Sequence, residues 1–305
     1  LFGILLSVKE TTMDNLISLI KKKYPNLSKG HKAIASYIIN HYDKAAFMTA
    51  ARLGEEVGVS ESTVVRFPVE LGFNGYPTLQ RELKEVIKSK LTAVQRLEVS
   101  SSRIDKDNVL KSVLQSDMNK IKMTMEEIDI DNFNCITEKI LAARHIYIIG
   151  VRSSAPLASF LGFYFNLIFE NVRLVHTTSV SEMFEQIINA QKGDVVIGIS
   201  FPRYSRRTTK AMQFVKKQGA TAIAITDNED SPLAKCSNYS LYARSDMNSF
   251  VDSLVAPLSV INALIVAIGL KKKQHIQENL EKLESIWDEY QVYEKDEPYT
   301  THQTD

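Results

Sequence analysis

The sequence predicts an all-α helix-turn-helix head followed by an α/β doubly wound parallel sheet of five strands. Three observations carry this reading. From Leu16 to Leu91 the apolar residues recur at helical spacing and no segment alternates like a strand. Beyond residue 128, short β-branched runs are separated by helical lengths, as in a parallel sheet covered on both faces. Between them, residues 100–108 form a polar bridge with the serine and charge density of a linker. A chain of 305 residues with 44% hydrophobic content divides by ordinary domain size into about two domains. The expected limits are a helix-turn-helix head at 13–90, a helical linker at 91–127, a sheet domain at 128–270, and a C-terminal helix with a polar tail at 271–305. Residues 1–12 read as an upstream extension.

In the head, Ser28 is placed as the N-cap of a helix holding Ile34, Tyr37, Ile38 and Ile39. Residues 48–67 read as a helix, a tight turn through Gly58-Val59-Ser60, and a second helix. Gly54 is small where two helices must approach, Gly58 supplies the turn, Val59 plugs the inter-helix core, and Ser60 caps the second helix. Such a pair lays the start of its second helix in the major groove. Ser60, Ser62 and Thr63 offer short donors and acceptors for bases or phosphates, and Arg66 reaches guanine or backbone. The bland alternative is a helical hairpin with a glycine turn, which the ordered set of residues disfavours. Pro68 removes a backbone donor and is expected to kink or shorten this helix. Leu71-Gly72-Phe73-Asn74-Gly75-Tyr76-Pro77 then stops it, and another helix runs from Thr78 to Lys90. Residues 13–90 hold 12 Lys/Arg against 8 Asp/Glu in a chain whose net charge is +1, so the basic end suits operator DNA. His31 and His41 have no partner at chelating spacing and read as surface or packing residues.

A helix carrying Val109, Leu110, Val113, Leu114, Met118 and Ile121 leads into the sheet domain. The expected strands are His145–Ile149, Val172–His176, Asp194–Ser200, Thr221–Thr226 and Tyr239–Ala243. Two strand ends open into hydroxyl-rich loops before helices: Gly150-Val151-Arg152-Ser153-Ser154, and Ser200-Phe201-Pro202-Arg203-Tyr204-Ser205-Arg206-Arg207-Thr208. Helix starts present unpaired amides and a positive dipole end, so Arg152, Ser153, Ser154, Ser200, Arg203, Tyr204, Ser205 and Thr208 are candidates to seat an anion. Simple N-capping is the competing explanation for either loop alone. Without GxGxxG a nicotinamide role is not indicated, and no cofactor is expected. Leu254–Leu270 reads as a buried helix, too short and interrupted for a membrane span. Ile276, Leu280, Leu283, Ile286 and Tyr290 form a stripe for the sheet domain or a second subunit. From Glu294 the chain is polar. Two cysteines, Cys135 and Cys236, with no CxxC pair and no Cys/His cluster, indicate neither disulfides nor metal. A cytoplasmic protein without membrane partners is expected.

Ser60-Glu-Ser-Thr-Val-Val-Arg-Phe67 with Leu71-Gly-Phe-Asn-Gly-Tyr76 resembles the N-terminal signature of the RpiR family of bacterial transcriptional regulators. The two sheet loops resemble the sugar isomerase (SIS) domain of those regulators, in matching domain order. The resemblance implies a flavodoxin-like SIS domain that senses a phosphorylated sugar or aminosugar and alters operator affinity, as a homodimer or homotetramer. It places Ser153 and Ser154 with the family's first-loop serines that meet the phosphate, and Ser200, Ser205 and Thr208 in its second hydroxyl loop. Three features depart from the pattern. Arg152 stands where SIS enzymes often have glycine, a longer Pro-Arg-Tyr-Ser form replaces Ser-x-Ser-Gly-x-Thr, and Pro68 replaces a small helix-compatible residue. Two other readings stay open. One is a sugar-phosphate isomerase with Glu182 or Glu185 as base and His176 as acid, Glu182 also being a candidate ligand contact. The other is a DNA-binding protein whose sheet domain only dimerises.

Overall fold

The computed structural model describes residues 13–90, 92, 94–97, 107–176, 179–245 and 251–293. Contacts divide it into two units: the chain to Glu126 with the segments Phe201–Tyr204 and Arg244–Ala256, and the remainder. Residues 1–12, most of the 100–108 bridge, and the tail from Glu294 lie outside the described residues.

The head comprises α1 (Met13–Lys23), a 3-10 turn (Tyr24–Asn26), α2 (Lys29–Asn40), α3 (Tyr42–Ala45), α4 (Ala50–Val57), α5 (Glu61–Leu71) and α6 (Tyr76–Lys90). Ser28 Oγ accepts the His31 amide at 3.3 Å and so starts α2. Leu16, Ile20, Ile34, Ile38, Leu53, Val64, Phe67, Leu79 and Leu83 share one buried core. At roughly 1.5–3 kcal/mol for each large apolar side chain removed from water, that core holds the helices together. Tyr76 Oη and Gln80 Nε2 both donate to the Met48 carbonyl, bracing the entry to α4. Burial pushes the Tyr76 phenol up to about 12, so it stays a donor.

Pro68 does not shorten α5, which runs on to Leu71. Proline forfeits one hydrogen bond, but Val64, Phe67, Pro68 and Leu71 are all buried, and packing outweighs the lost bond. The helix stops at Gly72, which takes a left-handed φ of 95° while the Phe73 amide donates to the Pro68 carbonyl.

Next come α7 (Val109–Glu127) and α8 (Ile130–Leu141). The sheet unit continues as β1 (Ile146–Gly150), α9 (Ala155–Ile168), β2 (Val172–Leu174), α10 (Val180–Ile187), β3 (Val195–Ile199), α11 (Arg206–Lys217), β4 (Thr221–Thr226), α12 (Pro232–Cys236), β5 (Tyr239–Tyr242), α13 (Val255–Lys271) and α14 (Lys273–Glu289). The five strands are all parallel in the order β2-β1-β3-β4-β5, with Gly150 beside Ile199. Every residue of β1 and β3 is buried, as expected of central strands covered on both faces. On one face Tyr147, Ile149, Val196, Ala222 and Ala224 pack with Met183, Ile187, Met212, Val215 and Leu233. β2 ends earlier than the sequence pattern indicates. Val175 still donates to the Ile148 carbonyl, but the Gln186 side chain takes both backbone groups of His176, which closes the ladder there.

The long apolar helix α13 is buried along Val260, Ile261, Leu264 and Ile268, whereas Leu258, Val266 and Leu270 are exposed. Of the terminal stripe, Ile276 and Leu283 are half-buried and Leu280, Ile286 and Tyr290 are exposed.

Candidate functional site

The first candidate site is the α4–α5 turn of the head. Gly58 adopts a left-handed φ of 74°, and Ser60 Oγ accepts the Thr63 amide at 3.3 Å. A Cβ on Gly54 would lie 2.7 Å from the Val59 carbonyl oxygen, so only glycine admits this approach. Ser60 Oγ also lies 2.9 Å from Ser62 Oγ and 2.8 Å from Thr63 Oγ1, gathering three hydroxyls at the start of α5. One turn on, Arg66 is exposed. The exposed face of α5 is completed by Val65 and Val69, 45% and 65% exposed. Sequence reading singled out neither. A sharper signal was present: Val64, Phe67 and Leu71 already fill the inward stripe at helical spacing, which leaves Val65 and Val69 outside it. Thr49 is a further unread cap, its Oγ1 accepting the Arg52 amide at 3.2 Å.

The second candidate site stands at the carboxyl ends of β1 and β3. The chain leaves β1 for β2 on one side while β3 lies on the other, which makes this a topological switch point, where doubly wound sheets take ligands. Gly150 ends β1 because a Cβ there would meet the Ser154 carbonyl oxygen at 2.5 Å and the Ala158 Cβ at 2.7 Å. Arg152 then takes a left-handed φ of 57° and begins a 3-10 turn through Ser154 that feeds α9. Arg152 and Ser153 are exposed and Ser154 is buried.

The neighbouring loop is more closely built. Buried Ser200 donates its amide to the Ile225 carbonyl and accepts the Ser205 amide on Oγ at 3.0 Å. Ser205 caps α11, its Oγ accepting the Thr208 amide at 3.2 Å. Thr208 is fully buried and its Oγ1 has no hydrogen-bond partner. A buried hydroxyl left unpaired costs roughly 1–3 kcal/mol, so this atom marks a place where a partner is wanted. Gly198, below it on β3, is held close by α11: a Cβ would meet Met212 Sδ at 2.8 Å. Arg203, with a left-handed φ of 63°, and Tyr204 belong to the segment that groups with the other unit. Arg206 and Arg207 are exposed on the first turn of α11.

Glu182 has another occupation. Its carboxylate accepts the Ser179 amide at 3.3 Å while Ser179 Oγ accepts the Glu182 amide, a reciprocal cap on α10. Glu185 and His176 are exposed. Sequence reading missed Asp227, buried at the end of β4, where it accepts from Thr226 Oγ1 and Asn228 Nδ2. A carboxylate directly after an apolar strand was the available signal. A cavity of about 690 Å³ lies away from these loops, at the amino ends of the strands, lined among others by Arg144, His145, Asn171 and Gln191. No group of three or more His, Cys, Asp or Glu among the described residues is arranged to hold a metal ion. No single described helix is long and apolar enough to cross a membrane.

Comparison with known proteins follows the same two-part division. Residues 14–90 match the helix-turn-helix domain of the rpiR family, and residues 139–267 match the SIS domain. An uncharacterized HTH-type transcriptional regulator of Clostridium perfringens is 28% identical over 215 residues, covering 70% of this chain and 76% of that protein. The sugar isomerase domain of an RpiR transcription factor from Sphaerobacter thermophilus superposes with a TM-score of 0.54 at 23% identity, over 57% of this chain and 96% of the other. The Vibrio vulnificus NanR protein complexed with ManNAc-6P gives a TM-score of 0.54 at 18% identity, over 90% of this chain and 99% of the other.

Proposed function

Because the chain belongs to the RpiR family of helix-turn-helix transcriptional regulators and carries the SIS domain, we propose that it binds an operator through α5 and senses a phosphorylated sugar or aminosugar at the ends of β1 and β3. In this reading Ser60, Ser62, Thr63 and Arg66 contact DNA, with Val65 offering methyl groups to thymine. The effector phosphate lies between the two hydroxyl loops. Ser153, Ser154 and Ser205 donate to it with the amides at the start of α11, Ser200 holds the second loop in place, and Arg152 supplies a further donor. The observation that carries the reading is Thr208 Oγ1, a fully buried hydroxyl without a partner at the start of a 12-residue helix. The NanR protein, complexed with ManNAc-6P, supports a sugar phosphate as the effector class.

We read the sheet domain as a sensor and not an isomerase. Proton transfer between adjacent carbons needs a base within reach of the substrate, and Glu182 is engaged as a helix cap. Two copies of the chain, as dimer or tetramer, would set two recognition helices at the spacing of operator half-sites. Effector binding then acts by linkage. A ligand that favours one arrangement of the copies by about 1–3 kcal/mol changes operator affinity by about 5- to 150-fold. The test is operator binding titrated with ManNAc-6P and other sugar phosphates, on the native chain and on Ser153→Ala/Ser205→Ala. The doubly substituted chain should keep basal DNA binding and lose the response. DNA binding that no sugar phosphate alters, or turnover of such a compound, would overturn the reading.

A further inference from the structure

α7 is a long helix with little support among the described residues. It has 19 residues, of which only Lys120 and Thr124 are buried, and no other helix or strand packs extensively along it. One side is held by the segment after β5: the Arg244 amide donates to Thr124 Oγ1 at 2.9 Å, and Ser253 Oγ donates to Asp117 Oδ1 at 2.6 Å. About a quarter turn away at 100° per residue, Leu110, Leu114, Met118, Ile121 and Met125 line one face, exposed by 74, 54, 62, 38 and 68%.

A lone helix of this length is marginal in water and takes most of its stability from burying an apolar face. An apolar patch of this size stands at the upper end of what a monomer surface carries, where such patches are often functional. The spacing of the stripe, with steps of four and three residues, is that of a seam between paired helices. The stripe contains no charged residue and is rich in methionine, which adapts to an irregular partner. Its exposed area is about 600 Å² per copy, most of the roughly 800 Å² per partner that a standard interface buries.

We propose that α7 pairs with the same helix of a second copy of this chain, antiparallel about a two-fold axis between Met118 and Ile121, so that the linker helix is an association surface of the protein. A two-fold axis makes the stripe its own complement, Leu114 and Met125 facing each other across the seam. The proposal rests on the regulator reading only for the presence of more than one copy. Every copy brings its own α7, so the partner is present wherever the protein is.

The test is the molar mass of the full chain by light scattering, beside Leu114→Lys/Met118→Lys. The substituted chain should have half the native mass or less. If the mass is unchanged, or the native chain is monomeric, the proposal falls. A melting temperature that drops at unchanged mass would assign the stripe to this chain's own interior and overturn the proposal as well. Should the lysine variant fail to fold, Met118→Cys in a Cys135→Ser background is treated with a bismaleimide. A covalent species of twice 34.4 kDa supports the pairing, and its absence at concentrations where the native chain is oligomeric overturns it. Operator binding with and without ManNAc-6P is measured on the same samples. A missing effector response beside an intact mass difference would sink the regulator reading alone.

Discussion

Arg144 forks onto Asp194 across fifty residues of sequence, Nε and Nη2 each 2.9 Å from a carboxylate oxygen. Asp194 has no exposed surface, although the arginine is half-exposed. The carboxylate also accepts the Gln191 amide at 2.9 Å, and His145 Nδ1 lies 3.3 Å away. Asp194 thus pins the turn before β3 to the residues that begin β1. The two central strands that carry the candidate loops are registered from their opposite ends.

This relationship gives the sheet domain a defined acid sensitivity. Burial alone would raise the Asp194 carboxyl, but hydrogen bonds from Arg144, the Gln191 amide and His145, with the arginine charge, outweigh it and hold the group below its ordinary value. A carboxyl lowered by folding contributes stability that is present above its unfolded pKa of about 3.9 and is lost as pH falls through the folded value. Urea midpoints should therefore fall more steeply below about pH 4 in the native chain than in Asp194→Asn. At pH 7 that substitution should cost about 2–3 kcal/mol, because buried donors lose a charged acceptor. Equal midpoints at pH 7 would show that the fork contributes nothing.

Thr208 separates a structural hydroxyl from a ligand-binding one. If Oγ1 served the fold, Thr208→Val would destabilise the domain. Since it has no partner, the isosteric valine should leave the melting temperature unchanged or raise it, by up to about 1 kcal/mol of stability. The same substitution should remove most of the thermal shift produced by a sugar phosphate. Loss of stability with an intact shift would move the ligand elsewhere.

Gly54 is a backbone requirement and not a flexible joint. Its missing Cβ leaves room for the Val59 carbonyl, so Gly54→Ala must part α4 from α5 or distort the turn. Overpacking of this kind costs about 1–3 kcal/mol. In a small helical head that is enough to lower operator affinity while the sheet domain melts as before. Two calorimetric transitions, with only one displaced, are the expected record.

The head was legible because its signals are local. Gly54, Gly58, Ser60 and Gly72 act within a few residues of themselves, so spacing alone reveals them. The strands were legible because a doubly covered parallel sheet writes each one as an unbroken apolar run. Asp194 was not, since nothing near it in sequence announces an arginine fifty residues away. The capping role of Glu182 was not singled out, although Ser179 stands three residues before it at capping-box spacing. Pro68 could not be weighed from sequence for a related reason: helix propensity argues for a shorter helix, and the burial that carries α5 on to Leu71 is tertiary. The unpaired state of Thr208 Oγ1 could be known only once every neighbour was in place.

Arg66 carries the remaining prediction, and it tests whether the two halves divide the work. It is exposed on α5, one turn beyond the Ser60, Ser62 and Thr63 hydroxyls, and an arginine so placed can fork onto guanine or reach a phosphate. These two contacts differ in their signature. Losing a guanine contact costs about 1–3 kcal/mol and relaxes preference at one base pair, whereas losing a phosphate contact weakens all sequences alike and lowers the salt slope by about one. Arg66→Ala should therefore reduce operator affinity by about 5- to 150-fold, and a salt series should tell which contact was lost. Arg66 belongs to the head and β1 and β3 to the other unit, so the thermal response to a sugar phosphate should stay at its native size. An Arg66→Ala protein that binds operator normally would remove α5 from the recognition surface.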